Sequence, residues 1–132
     1  AGKAINPAIE SGQIHGGFVQ GAGWLTMEEV NWKANGEITT HSPSTYKIPA
    51  VSDMPEKFYV EIFKKGKNNE NVVNKSKTTG EPPLMNAMSV FFAIKNAISS
   101  VGNYSINPDI NAPATPEKIL MSINKLKKKY EK

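Results

Sequence analysis

Apolar and polar positions first predict a long helix near the start of the chain. Residues 8–30 place their main apolar side chains near one helical face: Ile9, Ile14, Phe18, Ala22 and Leu25. Five glycines interrupt this segment, and each glycine inside a helix costs up to about 1 kcal/mol of helix stability. Such a helix therefore needs strong tertiary support, or a close approach that offsets this cost.

The middle of the chain changes to short β-type patterns. Asn35-Gly36 is a strong hairpin signal, and it predicts a turn between strands at residues 29–33 and 37–40. Residues 41–57 contain three prolines and predict an extended, irregular connection. Residues 58–63 alternate, which predicts a strand, and residues 72–77 suggest another short strand.

Helical patterns return in the last third. Residues 84–101 are apolar except for one narrow polar face, so they predict a largely buried helix that Gly102 ends. Thr115 and Pro116 predict the cap and first position of a final helix. Its apolar stripe is Ile119, Ile123, Leu126 and Tyr130. Together these elements predict one α+β domain over residues 1–132, with short antiparallel strands, a Gly-rich N-terminal helix and two C-terminal helices, one largely buried.

Composition and charge narrow the classes of function. The chain has no cysteine and two histidines, which excludes disulfides and disfavours a Cys/His zinc site. No apolar run approaches the ~20 residues needed to span a bilayer, so no membrane association is expected. The net charge is +4, but residues 118–132 carry six Lys and one Glu, so the remainder carries −1. Because all basic residues are Lys, the pattern favours a solvated helix end over a nucleic-acid surface.

Two local motifs can carry chemistry. Glu81 lies between Gly80 and two prolines, and this predicts a rigid, extended corner at a helix start, where a carboxylate could serve as a general base. The alternative is a Glu that merely caps its helix, and local physics favours it.

Gln13 is the second candidate, because it lies among glycines that are spaced four apart: Gly12 with Gly16, and Gly17 with Gly21. Such pairs form a groove on a helix that a backbone or a ligand can approach, and an amide there could bind a polar heterocycle. An ordinary solvent-facing Gln is the alternative, and His15 is expected to be a hydrogen-bonded structural residue.

Five stretches, taken in order, resemble the molybdenum hydroxylases, the family of xanthine dehydrogenase and aldehyde oxidase. They are residues 2–7 (GKAINP), 12–21 (GQIHGGFVQG), 43–49 (PSTYKIP), 76–84 (SKTTGEPPL) and 112–117 (APATPE). The ordered set covers nearly the whole chain, and it resembles the C-terminal part of the molybdopterin-binding large subunit, with bacterial xanthine dehydrogenase subunits as the nearest match.

The resemblance implies a molybdenum ion carried by a pyranopterin. Glu81 matches the family glutamate that takes a proton from a hydroxide ligand as the oxygen attacks an electron-poor carbon. Gln13 matches a glutamine that contacts the pterin, with Gly12, Gly16 and Gly17 as close-approach positions. No protein ligand to the metal is expected. His15 stands where the family usually carries Glu, which puts the local hydrogen bonding of Gln13 in question.

The resemblance also implies partners. The chain begins at Ala1 rather than Met, so we expect a piece truncated at its N-terminus that belongs with the remainder of the large subunit. Iron–sulfur clusters and FAD would lie on other domains or subunits, and the substrate would be a purine, another N-heterocycle or an aldehyde in the cytoplasm. The piece alone is expected to bind no cofactor, to be inactive and to self-associate. A binding module that uses its lysine tail for an acidic partner or RNA is the alternative function.

Overall fold

A computed structural model describes residues 2–130, which fold mainly as four helices. Helix α1 spans Pro7–Thr26, α2 Pro82–Asn86, α3 Met88–Ser100 and α4 Pro116–Tyr130. Two short 3₁₀ turns lie at Val51–Asp53 and Val73–Lys75. Among these described residues, no helix combines the length and the apolar character needed to cross a bilayer. Glu131 and Lys132 of the predicted basic tail lie outside the described residues.

Helix α1 forms where the sequence predicts it but ends earlier than residue 30. The Asn6 side chain accepts a hydrogen bond from the backbone nitrogen of Ile9 at 3.3 Å, which caps the first turn. At the other end, Met27 leaves the helical conformation, and the carbonyl oxygen of Gly23 accepts bonds from the nitrogens of both Met27 and Glu28. Burial concentrates at the C-terminal half of the helix, where Leu25 is buried.

The predicted antiparallel strands are wrong, so the α+β class holds only in part. Within residues 2–130 the β pairing consists of two isolated bridges, Trp32 with Ile38 and Gly2 with Ser76. The Asn35-Gly36 turn is confirmed, because Gly36 has φ +86° and the nitrogen of Lys33 bonds the oxygen of Glu37 at 2.8 Å. The arms of this hairpin nevertheless pair too briefly to count as strands.

Residues 58–63 explain why the β pattern misleads. Phe58, Val60 and Ile62 are half-buried, whereas Tyr59 and Phe63 are exposed, so the alternation of the sequence is real. A strand also needs a neighbour that completes its hydrogen-bond ladder, and the described chain pairs no strand with this segment. Residues 72–77 likewise contribute a 3₁₀ turn and one bridge rather than a strand.

The apolar stretch at residues 84–101 becomes two consecutive helices. Pro82 and Pro83 open α2, and Ala87, which is fully buried, joins α2 to α3. The expectation of a largely buried helix is wrong: Met85, Met88 and Phe92 are exposed at 50%, 42% and 61%. The helix has more apolar surface than the described chain can cover.

The core lies between α3, α4 and the segment that links them. Its buried members are Ile98, Ile110, Ala114 and Leu126. Helix α4 begins as predicted, with the nitrogen of Lys118 donating to the Thr115 hydroxyl at 3.4 Å. Its stripe packs through Ile119, Ile123 and Leu126, while Tyr130 remains exposed.

Helix α1 is attached to this core by its C-terminal end. The backbone nitrogen of Ala114 donates a hydrogen bond to the carbonyl oxygen of Leu25 at 2.7 Å, and both residues are buried. Nearby, Lys118 of α4 forms an ion pair with Glu29 at 3.2 Å. The segments at the end of α1 and the start of α4 are therefore held together by a backbone bond and a charge pair.

Candidate functional site

Glu81 lies in the turn that enters α2, but the turn differs from the predicted one. Its backbone is helical, with φ −91° and ψ −37°, rather than extended. A proline disfavours helical backbone angles in the residue before it. Glu81 adopts these angles nevertheless, because they allow the backbone nitrogen of Leu84 to donate a hydrogen bond to the carbonyl oxygen of Glu81 at 3.1 Å, which closes the turn. Gly80 does not adopt the left-handed φ that only glycine tolerates easily.

The Glu81 side chain makes no capping hydrogen bond at the start of α2, and it is exposed. The capping alternative that local physics favoured is therefore wrong. The carboxylate stands at a defined backbone position while its oxygens stay accessible to another molecule. This arrangement leaves Glu81 able to accept a proton from a group that approaches from outside the described chain.

Two glycines of α1 hold the Glu81 turn in place. A Cβ added at Gly17 would stand 3.0 Å from the Cβ of Pro83 and 3.5 Å from the oxygen of Gly80. A Cβ added at Gly21 would stand 2.5 Å from the oxygen of Leu84. Real Cβ atoms do not approach other atoms as closely as 2.5 Å, so α2 can rest on α1 at Gly21 only because that residue lacks a side chain, while the contact at Gly17 would be tight but smaller in overlap. One of the two predicted glycine pairs thus serves helix packing.

Gln13 is brought to the same side of α1 as this turn. Residues four apart share a helical face, so Gln13 lies one turn before Gly17, on which Gly80 and Pro83 rest. Gln13 is exposed to solvent. The amide of Gln13 is therefore accessible to a ligand that approaches this side of α1.

Gly12 and Gly16 differ from the packing pair. A Cβ added at either would meet no atom within 4 Å, so no packing within the described chain accounts for a glycine there. Both nevertheless cost helix stability, about 1 kcal/mol each relative to alanine. They leave a bare strip of backbone beside Gln13, open to a close approach from outside.

A groove of about 560 Å³ borders this strip, and the sequence did not predict it. It lies between α1 and the segment around residues 46–54, and its polar residues include His15, Gln20, Glu28 and Tyr46. The Tyr46 hydroxyl donates a hydrogen bond to the Glu28 carboxylate at 2.6 Å. This bond, together with burial and the negative charge of Glu28, raises the pKa of Tyr46 above its usual value of 10.0.

The Glu28–Tyr46 pair was missed because the two residues are 18 positions apart and belong to no common motif. The available signal was general: a Tyr hydroxyl that is partly covered usually finds a hydrogen-bond partner.

His15 is a structural residue, as predicted. Its Nδ1 lies 2.7 Å from the carbonyl oxygen of Ser11, which can only accept, so Nδ1 carries the proton. The ring packs edge-on against Phe58, with ring centroids 4.9 Å apart. The Nδ1 hydrogen of His15 is thereby used within α1, and Nε2 is the ring nitrogen that this bond does not engage.

The lysines of α4 are mainly a solvated helix end, as the charge pattern favoured. Lys125 pairs with Asp109 at 2.6 Å, and Lys118 pairs with Glu29. Lys127, Lys128 and Lys129 occupy the last turn, where the helix dipole favours positive charge.

Comparison with known proteins gives consistent matches along the chain. The family model described as molybdopterin cofactor-binding domain matches residues 1–55. The xanthine dehydrogenase/oxidase of Felis catus is 45% identical over 126 residues, covering 89% of this chain and 9% of that protein. The xanthine dehydrogenase of Oryza sativa subsp. japonica is 43% identical over 141 residues, covering 98% of this chain and 10% of that protein.

The xanthine dehydrogenase of Dictyostelium discoideum is 43% identical over 124 residues, covering 92% of this chain and 9% of that protein. The chain therefore spans about a tenth of the length of the curated relatives that it matches. These relatives are eukaryotic, so the expected special likeness to bacterial subunits stays a prediction.

Proposed function

This chain belongs to the molybdenum hydroxylase family, and we propose that it forms part of the cofactor-binding region of a molybdenum-dependent hydroxylase, with Glu81 as the catalytic base. The observation that carries the proposal is the exposed, uncapped carboxylate of Glu81 on a turn that Gly17 and Gly21 fix against α1. The reaction would add an oxygen from water to a purine, another N-heterocycle or an aldehyde.

The surface of α1 fits a bound pyranopterin. Gly12 and Gly16 leave the backbone bare, and Gln13 beside them offers two donors and one acceptor to the edge of a polar heterocycle. Gly17 would contribute indirectly, by positioning the Glu81 turn next to that surface. When bound, the molybdenum–pyranopterin group supplies the redox chemistry of the hydroxylation.

Glu81 would act in the proton transfer. As a carboxylate it accepts a proton from the oxygen nucleophile as that oxygen attacks the electron-poor carbon of the substrate. A positioned base of this kind typically contributes about 10²–10⁴-fold to the rate. The fixed turn matters because a base must stay within hydrogen-bond reach of the proton that it removes.

The rest of the enzyme belongs to the same proposal. The remainder of the large subunit would cover the exposed apolar side chains of α2 and α3, and it would carry the residues that select the substrate. Iron–sulfur and flavin modules would lie on other domains or subunits, and the whole would work in the cytoplasm. The extended segment at residues 58–63 would find its pairing partner there. A binding module built on the lysine tail is not favoured, because two of its lysines are already engaged in ion pairs.

The test is a chimaera in which this chain replaces the matching segment of the Felis catus relative. We expect Glu81→Gln to lower xanthine turnover at least about 100-fold while the molybdenum content stays unchanged. Glu117→Gln is the matched control, since Glu117 is an exposed acidic residue in the first turn of α4. We expect Gln13→Ala to lower the molybdenum content instead. Unchanged turnover in Glu81→Gln would remove Glu81 from the mechanism.

A further inference from the structure

The groove beside α1 has the features of a small-molecule site that is separate from the Glu81 turn. Its volume of about 560 Å³ lies in the range of known ligand pockets, roughly 300–1,000 Å³. Helix α1 contributes His15, Gly16, Val19 and Gln20. The Glu81 turn rests on Gly17 and Gly21 instead, and a step of one residue turns the helical face by about 100°.

Two polar side chains of this groove, Tyr46 and Glu28, present only acceptors to a ligand, while the amide of Gln20 offers both donors and an acceptor. The Tyr46 hydroxyl gives its hydrogen to Glu28, so its oxygen keeps lone pairs for another donor. The Nδ1 hydrogen of His15 is given to Ser11, so Nε2 is the ring nitrogen left for a ligand. Glu28 uses Oε2 in the bond to Tyr46, and its Oε1 is a further acceptor. In Tyr46 and His15, a hydrogen bond within the chain already uses the donor hydrogen. In Glu28, the bond from Tyr46 holds the carboxylate in place.

The charge of the groove also favours a ligand that donates hydrogen bonds. Glu28 is the charged residue among those that line it, and no lysine is among the lining residues within the described chain. The walls are apolar: Val19, Ile48, Pro49 and Met54. A ligand that suits them has a flat apolar body and N–H donors that carry positive charge.

We propose that this groove binds a small, planar organic cation of the amidinium or guanidinium type. The cation would donate N–H bonds to Glu28 Oε1 and the Tyr46 oxygen, while its flat face packs over Gly16 between the apolar walls. Gly16 explains the access, because a Cβ there would meet no atom within 4 Å and the floor of the groove is bare backbone. This inference does not depend on the proposed hydroxylase function, although both use the open surface at Gly16.

The test compares two probes of the same shape and opposite charge, benzamidine and benzoate, on the 132-residue chain. Nuclear magnetic resonance titration would follow the ring nitrogens of His15 and the backbone amides of Gly16 and Val19. We expect benzamidine to bind with Kd of about 1 mM, as is typical of so small a ligand, and benzoate to cause no saturable shift.

Variants decide which atoms are responsible. Glu28→Gln should weaken benzamidine binding at least about tenfold, because a charged hydrogen bond becomes a neutral one. Glu37→Gln makes the same chemical change on the hairpin, where Glu37 pairs with Lys33, and it should leave Kd unchanged. Gly16→Leu should abolish binding by filling the groove, and the open space at Gly16 lets the fold accept it.

Three results would each overturn the proposal. They are the absence of any saturable shift up to about 10 mM benzamidine, equal binding of benzoate, and undiminished binding in Gly16→Leu. If Glu28→Gln loses the fold, Gly16→Leu and the benzoate comparison still decide the outcome, because neither disturbs the Tyr46–Glu28 bond.

Discussion

Gly21 of α1 lies directly against Ala87, the residue that joins α2 to α3: a Cβ added at Gly21 would stand 2.7 Å from the Cβ of Ala87. Ala87 is fully buried by this contact and its surroundings. The contact lies within one helical turn of Gly17, on which Pro83 rests. The position of the Glu81 turn therefore depends on residues 17 and 21 of α1 being glycines.

Alanine substitutions should separate the two kinds of glycine in α1. We expect Gly21→Ala to destabilise the chain, because the new methyl group would overlap Leu84 and Ala87. Gly12→Ala should instead raise the free energy of unfolding by about 0.5–1 kcal/mol, because its methyl group meets open space and alanine favours the helix. Urea denaturation of both variants measures this difference. Equal effects at the two positions would contradict the packing role of Gly21.

The exposed carboxylate of Glu81 predicts a small effect on stability. We expect Glu81→Gln to change the free energy of unfolding by less than about 0.5 kcal/mol, because no capping bond is lost. Thr115→Ala is the comparison, and it should cost about 1 kcal/mol, because Thr115 caps α4. Chemical denaturation at neutral pH gives both values. A loss in Glu81→Gln as large as that in Thr115→Ala would restore the capping role.

The ion pair between Asp109 and Lys125 predicts a pH dependence. The hydrogen bond and the charge of Lys125 hold the pKa of Asp109 below its ordinary value, with smaller contributions from Lys129 and Lys95. The pair therefore stabilises the fold above the unfolded pKa of about 3.9, and its contribution is lost as pH falls through the folded pKa.

The check is the difference in unfolding free energy between the natural chain and Asp109→Asn. We expect a small difference at pH 7 that vanishes in strong acid and shrinks in 1 M salt, because the pair is exposed. A difference that grows towards low pH would show that Asp109 acts through something other than Lys125.

The exposed stripe on α2 and α3 predicts self-association. Met85, Met88 and Phe92 follow helical spacing and are all substantially exposed. We expect the chain to form oligomers at high concentration, and Phe92→Ser to shift the equilibrium towards monomer. Tyr59→Ser is the control, since Tyr59 is 89% exposed outside this stripe. Sedimentation velocity measures both, and a natural chain that stays monomeric at high concentration would refute the prediction.

The sequence predicted the helices well where local signals determine them. Thr115, Pro116 and the apolar stripe that follows mark α4 without any tertiary information. The hairpin turn at Gly36 is equally local. Each of these features depends on side chains within a few positions of one another.

The sequence failed where the outcome depends on distant partners. The alternation at residues 58–63 is genuine, but no local pattern says whether a neighbouring strand exists. The burial of α3 was overestimated for a related reason, since an apolar surface does not reveal what covers it. An extended backbone at Glu81 was predicted from the following proline alone. In the structure the backbone of Glu81 is helical, and it belongs to a turn at which α2 packs on Gly17 and Gly21.

The bond from the Ala114 nitrogen to the Leu25 oxygen has a consequence for the motions of the chain. Both residues are buried, so deuterium can replace the amide hydrogen of Ala114 only when the end of α1 lifts away from the approach to α4. The exchange rate of that one hydrogen therefore measures how often the C-terminal end of α1 separates from the segment that leads into α4.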